Sequence, residues 1–175
     1  MEKYKERKWS GEKGKKFGHV GRVEDPYLPE AGQEAAACTQ CHALYQNKRW
    51  FFDADLYARL AGTAKVREVL CPACHKIKDR YAEGILTLSG KFFQQHREEI
   101  VRLLEKEAGR VGARHVMDRI IQMTPAGKDK LIVETTTEKL AQHLGRAVYK
   151  AYKGDLQFHW GEVDKLARVY WNREP

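Results

Sequence analysis

A chain of 175 residues is long enough for one medium domain or two small ones. Its apolar share of 42% is ordinary for a globular protein, and no apolar run approaches the ~20 residues that a bilayer-spanning helix needs. A net charge of +8, with 32% charged residues, points to polyanionic partners. With no apolar export segment in residues 1–20 and no lipidation signature, the expected protein is soluble, cytoplasmic and free of the membrane.

The charge is unevenly spread. Residues 1–22 hold eight Lys and Arg against three Glu, a net of +5. Such a stretch reads as a solvated, flexible arm, and as one able to order on a phosphate backbone. Lys13, Lys15 and Lys16 are its candidate nucleic-acid contacts, while Trp9 and Phe17 are suited to stack on bases or to pack back onto the domain. A linker follows over 23–37, broken by Asp25-Pro26, Leu28-Pro29 and Gly32. Arm and linker together are expected over 1–37.

Next come Cys38-Thr39-Gln40-Cys41 and, further on, Cys71-Pro72-Ala73-Cys74, which hold all four cysteines of the chain. A CxxC turn places two sulfurs on one side of a backbone reversal, and two such turns complete a tetrahedron. Cys38, Cys41, Cys71 and Cys74 are therefore expected to bind one structural zinc ion. Four thiolates leave no position for a reactive water, so the metal is expected to be scaffold. A disulfide pair and c-type haem attachment use the same pattern, the latter because His42 and His75 follow the two pairs. Neither suits a chain expected to stay in the cytoplasm. His42 and His75 are expected beside the thiolates, as N–H donors.

Between the pairs, a strand from Ala43 to Tyr45, a turn, a strand reaching Phe52, a short helix over 54–61 and a return through Val66 to Leu70 are expected. Trp50, Phe51 and Phe52 read either as packing against the metal site or as a platform for unpaired bases. Lys48, Arg49 and Trp50 are the candidate nucleic-acid contacts here. Lys76, Lys78 and Arg80 follow the second pair, placed to offset the negative charge of a four-thiolate zinc site or to reach phosphates. Gly84 to Gly90 reads as a short strand, and the zinc-ribbon module is expected over 38–91.

Residues 92–175 read as an α-β-β-α-β-β two-layer domain, making the whole chain α+β. Phe93, His96, Ile100, Leu103, Leu104 and Ala108 form a helical stripe that Gly109 and Gly112 are expected to end. Strands follow at His115–Met123 and Leu131–Thr135, with a capping box from Thr135 to Glu138 opening the next helix. Its expected buried stripe is Leu140, Leu144, Ala147, Val148 and Ala151. Leu156, Phe158 and Trp160, then Ala167, Val169 and Trp171, alternate with polar residues as strands do. The other face of that sheet would carry Gln157, His159, Arg168 and Tyr170, of which Arg168 and Tyr170 are candidate RNA contacts. The two α-β-β units are a candidate pseudo-repeat.

These residues resemble a bacterial zinc-ribbon family, poorly characterised and linked to loci switched on at low oxygen. The likeness runs through the CxxC pairs, Arg49-Trp50, Gly84 to Gly90, His96 to Ile100, Thr135-Thr136-Thr137, Gly145, Ala151 to Gly154 and Arg168 to Trp171, covering about residues 38–173. That family does not require the histidine after each pair, which weakens the haem alternative, and its activity is not established. A more distant likeness is to the ribosomal large-subunit export adaptor of archaea and eukaryotes, which begins with CxxC pairs and binds ribosomes; this chain has two pairs where the adaptor has more. The resemblance implies a ribosome partner by analogy.

The expected function is that of a non-enzymatic zinc protein that binds RNA, in association with the ribosome and with stress or low oxygen. The alternative is a protein-interaction adaptor or zinc-based regulator that docks through the C-terminal sheet. No Gly-rich phosphate loop, nucleophile elbow or HExxH pattern suggests an enzyme.

Overall fold

The computed structural model describes residues 5–8, 35–161 and 166–175. Among these, ten strands and five helices build two sheets, an α+β architecture. Strand β1 (Lys5–Lys8) lies within the expected flexible arm and pairs antiparallel with a strand of the larger sheet described below. Lys13, Lys15, Lys16, Trp9, Phe17 and most of the linker lie outside the described residues.

The smaller sheet contains β2 (Ala36–Cys38), β3 (Leu44–Gln46), β4 (Arg49–Phe51) and β5 (Arg67–Val69), in the order β4-β3-β2-β5. It starts inside the expected linker, since β2 takes Ala36 and Ala37 into the core. The β3–β4 turn has Asn47 and Lys48 at φ of 52° and 61°, the left-handed pair that a two-residue hairpin demands. Helix α1 (Ala54–Leu60) starts where the Asp53 carboxylate accepts a hydrogen bond from Leu56 N at 2.8 Å. It packs Leu56, Tyr57 and Leu60 against a small core of Ala37, Leu44 and Val66.

Helix α2 (Pro72–Asp79) opens on the second cysteine pair, with Pro72 in its first turn, and ends at Arg80 in the left-handed region, φ 52°. The chain then enters β6 (Gly84–Ser89), which does not join the cysteine module. It forms an interior strand of the larger sheet, so the boundary expected at 91 falls after β6 rather than before it. The physical reason is its pattern: Leu86, Thr87 and Leu88 are all buried, which suits a central strand with a neighbour on each side.

The helix expected over 92–109 is two helices, α3 (Lys91–Gln95) and α4 (Arg97–Gly112), separated at His96. His96 leaves helical geometry and stacks on Phe92 at 4.2 Å. Gly109 lies inside α4 rather than at its end. Strand β7 begins at Ile120 and runs to Pro125, not from His115, and β8 covers Lys130–Thr135. Residues 113–119 instead turn back and place Val116 and Met117 against the cysteines.

Helix α5 (Glu138–Tyr152) is capped by Thr137, whose hydroxyl accepts from Leu140 N at 3.2 Å; Thr135, the expected cap, is buried and donates to Gly84 O and Thr137 O instead. Its buried stripe is Leu140, Ala141, Leu144, Gly145 and Val148, while Ala151 faces solvent. Gly145 is required by close approach: a Cβ there would meet Val169 Cγ1 at 2.7 Å. Strands β9 (Asp155–Trp160) and β10 (Ala167–Asn172) complete the order β1-β9-β10-β6-β8-β7.

All the helices of this domain cover one face, over Leu86, Leu88, Leu131, Val133, Leu156, Phe158, Val169 and Trp171. The hairpins β7–β8 and β9–β10 flank β6, but β8 runs antiparallel to it and β10 parallel. Strands so placed are compatible with the pseudo-repeat expected from the sequence, because a two-fold axis normal to the sheet at β6 would exchange the two hairpins with their directions reversed.

Candidate metal centre

The two CxxC turns meet. The Sγ atoms of Cys38, Cys41, Cys71 and Cys74 all lie within 4.8 Å of one another, and Cys41 and Cys71 approach to 3.6 Å. A tetrahedral ion with metal–sulfur bonds of about 2.3 Å needs sulfurs about 3.8 Å apart, so these four residues could hold one metal ion, and the all-sulfur donor set suits zinc. The 3.6 Å separation exceeds a disulfide bond of about 2.05 Å. Convergence on one point also argues against two separate haem attachments.

Local structure prepares each sulfur. In the first turn Cys38 N donates to Ala43 O at 2.8 Å and His42 N to Cys38 O at 3.0 Å, with His42 in the left-handed region at φ 63°. In the second, Cys71 is the N-cap of α2, and its sulfur accepts from Cys74 N at 3.4 Å. Cys71 N in turn donates to Cys38 Sγ at 3.2 Å, linking the turns through a backbone amide. The α2 N-terminus presents its positive end to the sulfurs. The ring of His42, expected to donate to a thiolate, stacks on Tyr57 at 4.6 Å.

The cation at the sulfurs comes from the other domain. Arg119 donates from Nη1 to Cys74 Sγ at 3.8 Å and from Nε to Val116 O at 3.1 Å. Burial works against its charge, yet the sulfurs of Cys41, Cys74 and Cys71 outweigh that and hold its pKa above the usual value. The thiols themselves split. The hydrogen bond from Cys71 lowers Cys41 to about 4. Cys71 is pushed up, by that same bond first and by burial next. Cys74 is pushed up to about 12, chiefly by burial. Cys71 and Cys74 therefore keep their protons at neutral pH, and a metal must displace both. Affinity should accordingly rise with pH, by about a hundredfold or more per unit near neutrality for at least two protons released; a chelator competition run from pH 6 to 8 reads it. Replacing Arg119 with Met should cut metal affinity by roughly 10–100-fold, as loss of a ligand's outer partner does. The same competition at fixed pH tests this.

The remaining candidate contacts separate in space. Lys48, Arg49, Lys78 and Arg80 are exposed. Lys76 is not available to a phosphate or to the sulfurs: its side chain is 5% exposed, and its Nζ lies 3.0 Å from Glu83 Oε1. It ties α2 to the larger sheet, as a buried charge needs a partner. Trp50 packs on the cysteine cluster and beside Tyr45 at 5.3 Å, Phe51 joins the small core, and Phe52 stays 44% exposed. Arg168 and Tyr170 lie with Gln157 and His159 around a hollow of about 390 Å³ on the sheet face opposite the helices. His159 meets Tyr170 edge-on at 5.1 Å.

Arg119 was invisible to sequence reasoning. It sits in a segment whose alternation resembles a strand, and the nearer Lys76, Lys78 and Arg80 were the expected counter-charges. The usable signal was the excess of thiolate charge itself, which requires a cation without saying from where.

Among the described residues no helix is long and apolar enough to cross a membrane. No family model, curated protein or solved structure matches this chain.

Proposed function

We propose that this chain is a non-enzymatic, cytoplasmic zinc protein that binds structured RNA, with the ribosome as its target. In this reading Cys38, Cys41, Cys71 and Cys74 hold one structural zinc ion in a ribbon-like module. The likeness to a bacterial zinc-ribbon family linked to low oxygen supports the metal and suggests when the protein is used. The observation that carries the RNA reading is the sheet face of Gln157, His159, Arg168 and Tyr170 in a chain of net charge +8. Basic and aromatic side chains on one sheet face suit stacking and phosphate contact together. Strand β1 brings a basic segment to the edge beside β9, and Lys48, Arg49, Lys78 and Arg80 add exposed charge on the cysteine module.

Sedimentation with ribosomes tests this. Binding through several phosphates should weaken at least about tenfold between roughly 50 and 200 mM salt. Affinity that stays flat with salt would remove the basis of the reading. Partners that survive nuclease treatment of a lysate would favour the alternative, an adaptor docking through the same sheet. Elemental analysis of purified protein checks the zinc.

A further inference from the structure

A second cavity of about 390 Å³ opens where the cysteine module meets the larger domain, lined among others by Cys41, Phe52, Gly109, Gly112, Asp118 and Arg119. Four features make it unlike an accidental seam. Phe52 is one of the few large apolar side chains left exposed, at 44%, and it carries the Arg119 guanidinium 5.5 Å from its ring centroid. Arg119 bonds Val116 O, Cys74 Sγ and Cys41, which uses three of its five N–H groups and leaves two to offer. Asp118 accepts from Thr137 Oγ1 at 2.5 Å through one oxygen, and its second oxygen is left to accept more. Asp118 and Arg119 line the same space without forming an ion pair with each other.

The fourth feature is Gly109. It sits inside α4, where glycine weakens a helix relative to alanine. No neighbour requires it, because a Cβ there would meet nothing within 4 Å. What its absence preserves is the open space. Gly112, one turn on, is tighter, with Asp118 O 3.2 Å from where its Cβ would stand.

The polar groups select the occupant. The Asp118 carboxylate beside the Phe52 ring disfavours a phosphate at that edge and favours a neutral ring that offers donors. A flat ring can stack on Phe52. Its edge must offer adjacent donors to the Asp118 carboxylate and an acceptor to Arg119. Guanine does this with N1–H, the N2 amino group and O6. Adenine turns an acceptor nitrogen towards the carboxylate, uracil flanks its single donor with acceptors, and cytosine offers one amino group beside an acceptor nitrogen.

We propose that this cavity binds a guanine base, either an unpaired guanosine in RNA or a free guanine nucleotide. The RNA source rests on the reading above; the base specificity does not. Zinc-loaded full-length protein is titrated with a short uridine oligonucleotide carrying one central G, the same oligonucleotide with A or inosine instead, and GMP. The G oligonucleotide should bind about tenfold or more tightly than the A form, with inosine between them for lack of the N2 amino group. Asp118→Asn keeps an acceptor for Thr137 and should erase the difference between G and A. Phe52→Ala should cost about tenfold for the G oligonucleotide. Gly109→Leu should raise the melting temperature while abolishing the G preference, so loss of binding is separated from loss of fold. GMP binding as tightly as the G oligonucleotide would assign the site to free nucleotide; GMP binding much more weakly would assign it to RNA. Equal affinity for all the oligonucleotides would overturn the guanine site and leave the RNA reading standing. Failure of every ligand to bind would overturn both.

Discussion

Stripping the metal with a strong chelator is expected to unfold residues 35–79 while the larger sheet stays folded. The two modules differ in what else holds them. Buried apolar residues of the smaller one are Ala37, Leu44 and Val66 in one cluster, and little besides the cysteines, Ala43, Ala73 and Val116 in the other. So little apolar surface supplies only a few kcal/mol, short of the ordering cost of its short strands. Metal binding by four thiolates contributes apparent free energies of about 10–16 kcal/mol in comparable small modules, which is enough to reverse the sign. Removing the ion also returns protons to Cys71 and Cys74 and leaves Arg119 with less negative charge to face, so the turn at 113–119 should loosen with it. Hydrogen exchange followed by mass spectrometry distinguishes the segments. Protection should vanish over 35–79 and persist in β6, β8, β10 and α5. If the metal-free protein, checked for zinc content, keeps its protection over 35–79, the metal is not what holds that module.

Trp171→Ala should be the most damaging single change in the larger domain, and should leave metal content unaltered. Trp171 is fully buried in β10, beside the central strand, with Phe92 edge-on at 6.5 Å. Its Nε1 donates to Lys153 O at 2.6 Å, at the residue that closes α5. Truncation creates a large cavity beneath α5 at a cost of about 3–5 kcal/mol, with up to about 1 kcal/mol more from the lost hydrogen bond. Against a typical domain stability of about 5–15 kcal/mol, that is about a fifth of the total or more. Denaturant unfolding of the zinc-loaded protein measures it. Trp50→Ala is the informative contrast. Trp50 is only half-buried and packs on the cysteines, so its loss should weaken metal retention more than it weakens the sheet.

Much of the local structure was legible because it is locally caused. The paired cysteines named their own turns, since two residues between sulfurs impose the reversal that aims both the same way. Alternation in 155–160 and 167–172 named β9 and β10 and sorted Val169 and Trp171 from Arg168 and Tyr170. The errors came where a local pattern admits two outcomes. Thr135 and Thr137 both offer a capping hydroxyl, and burial of Thr135 against Gly84 chose between them. The 92–109 stripe continues through His96, but the ring of His96 stacks back on Phe92 and the helix breaks there. Residues 115–119 alternate like a strand, yet Val116 is claimed by the cysteine cluster.

From residues alone, then, came the four cysteines that converge, most of the periodic elements and the basic composition of residues 1–22, all read from neighbours within a few positions along the chain. Tertiary structure decided the place of β6 between two hairpins, the burial of Lys76 against Glu83, the arrival of Arg119 at Cys74 and the cavity kept open over Gly109. Each joins groups distant in sequence, or separated by the seam between modules. Charge compensation and packing constrain the sum over a site, and many different residues could satisfy that sum; the fold selects which one does.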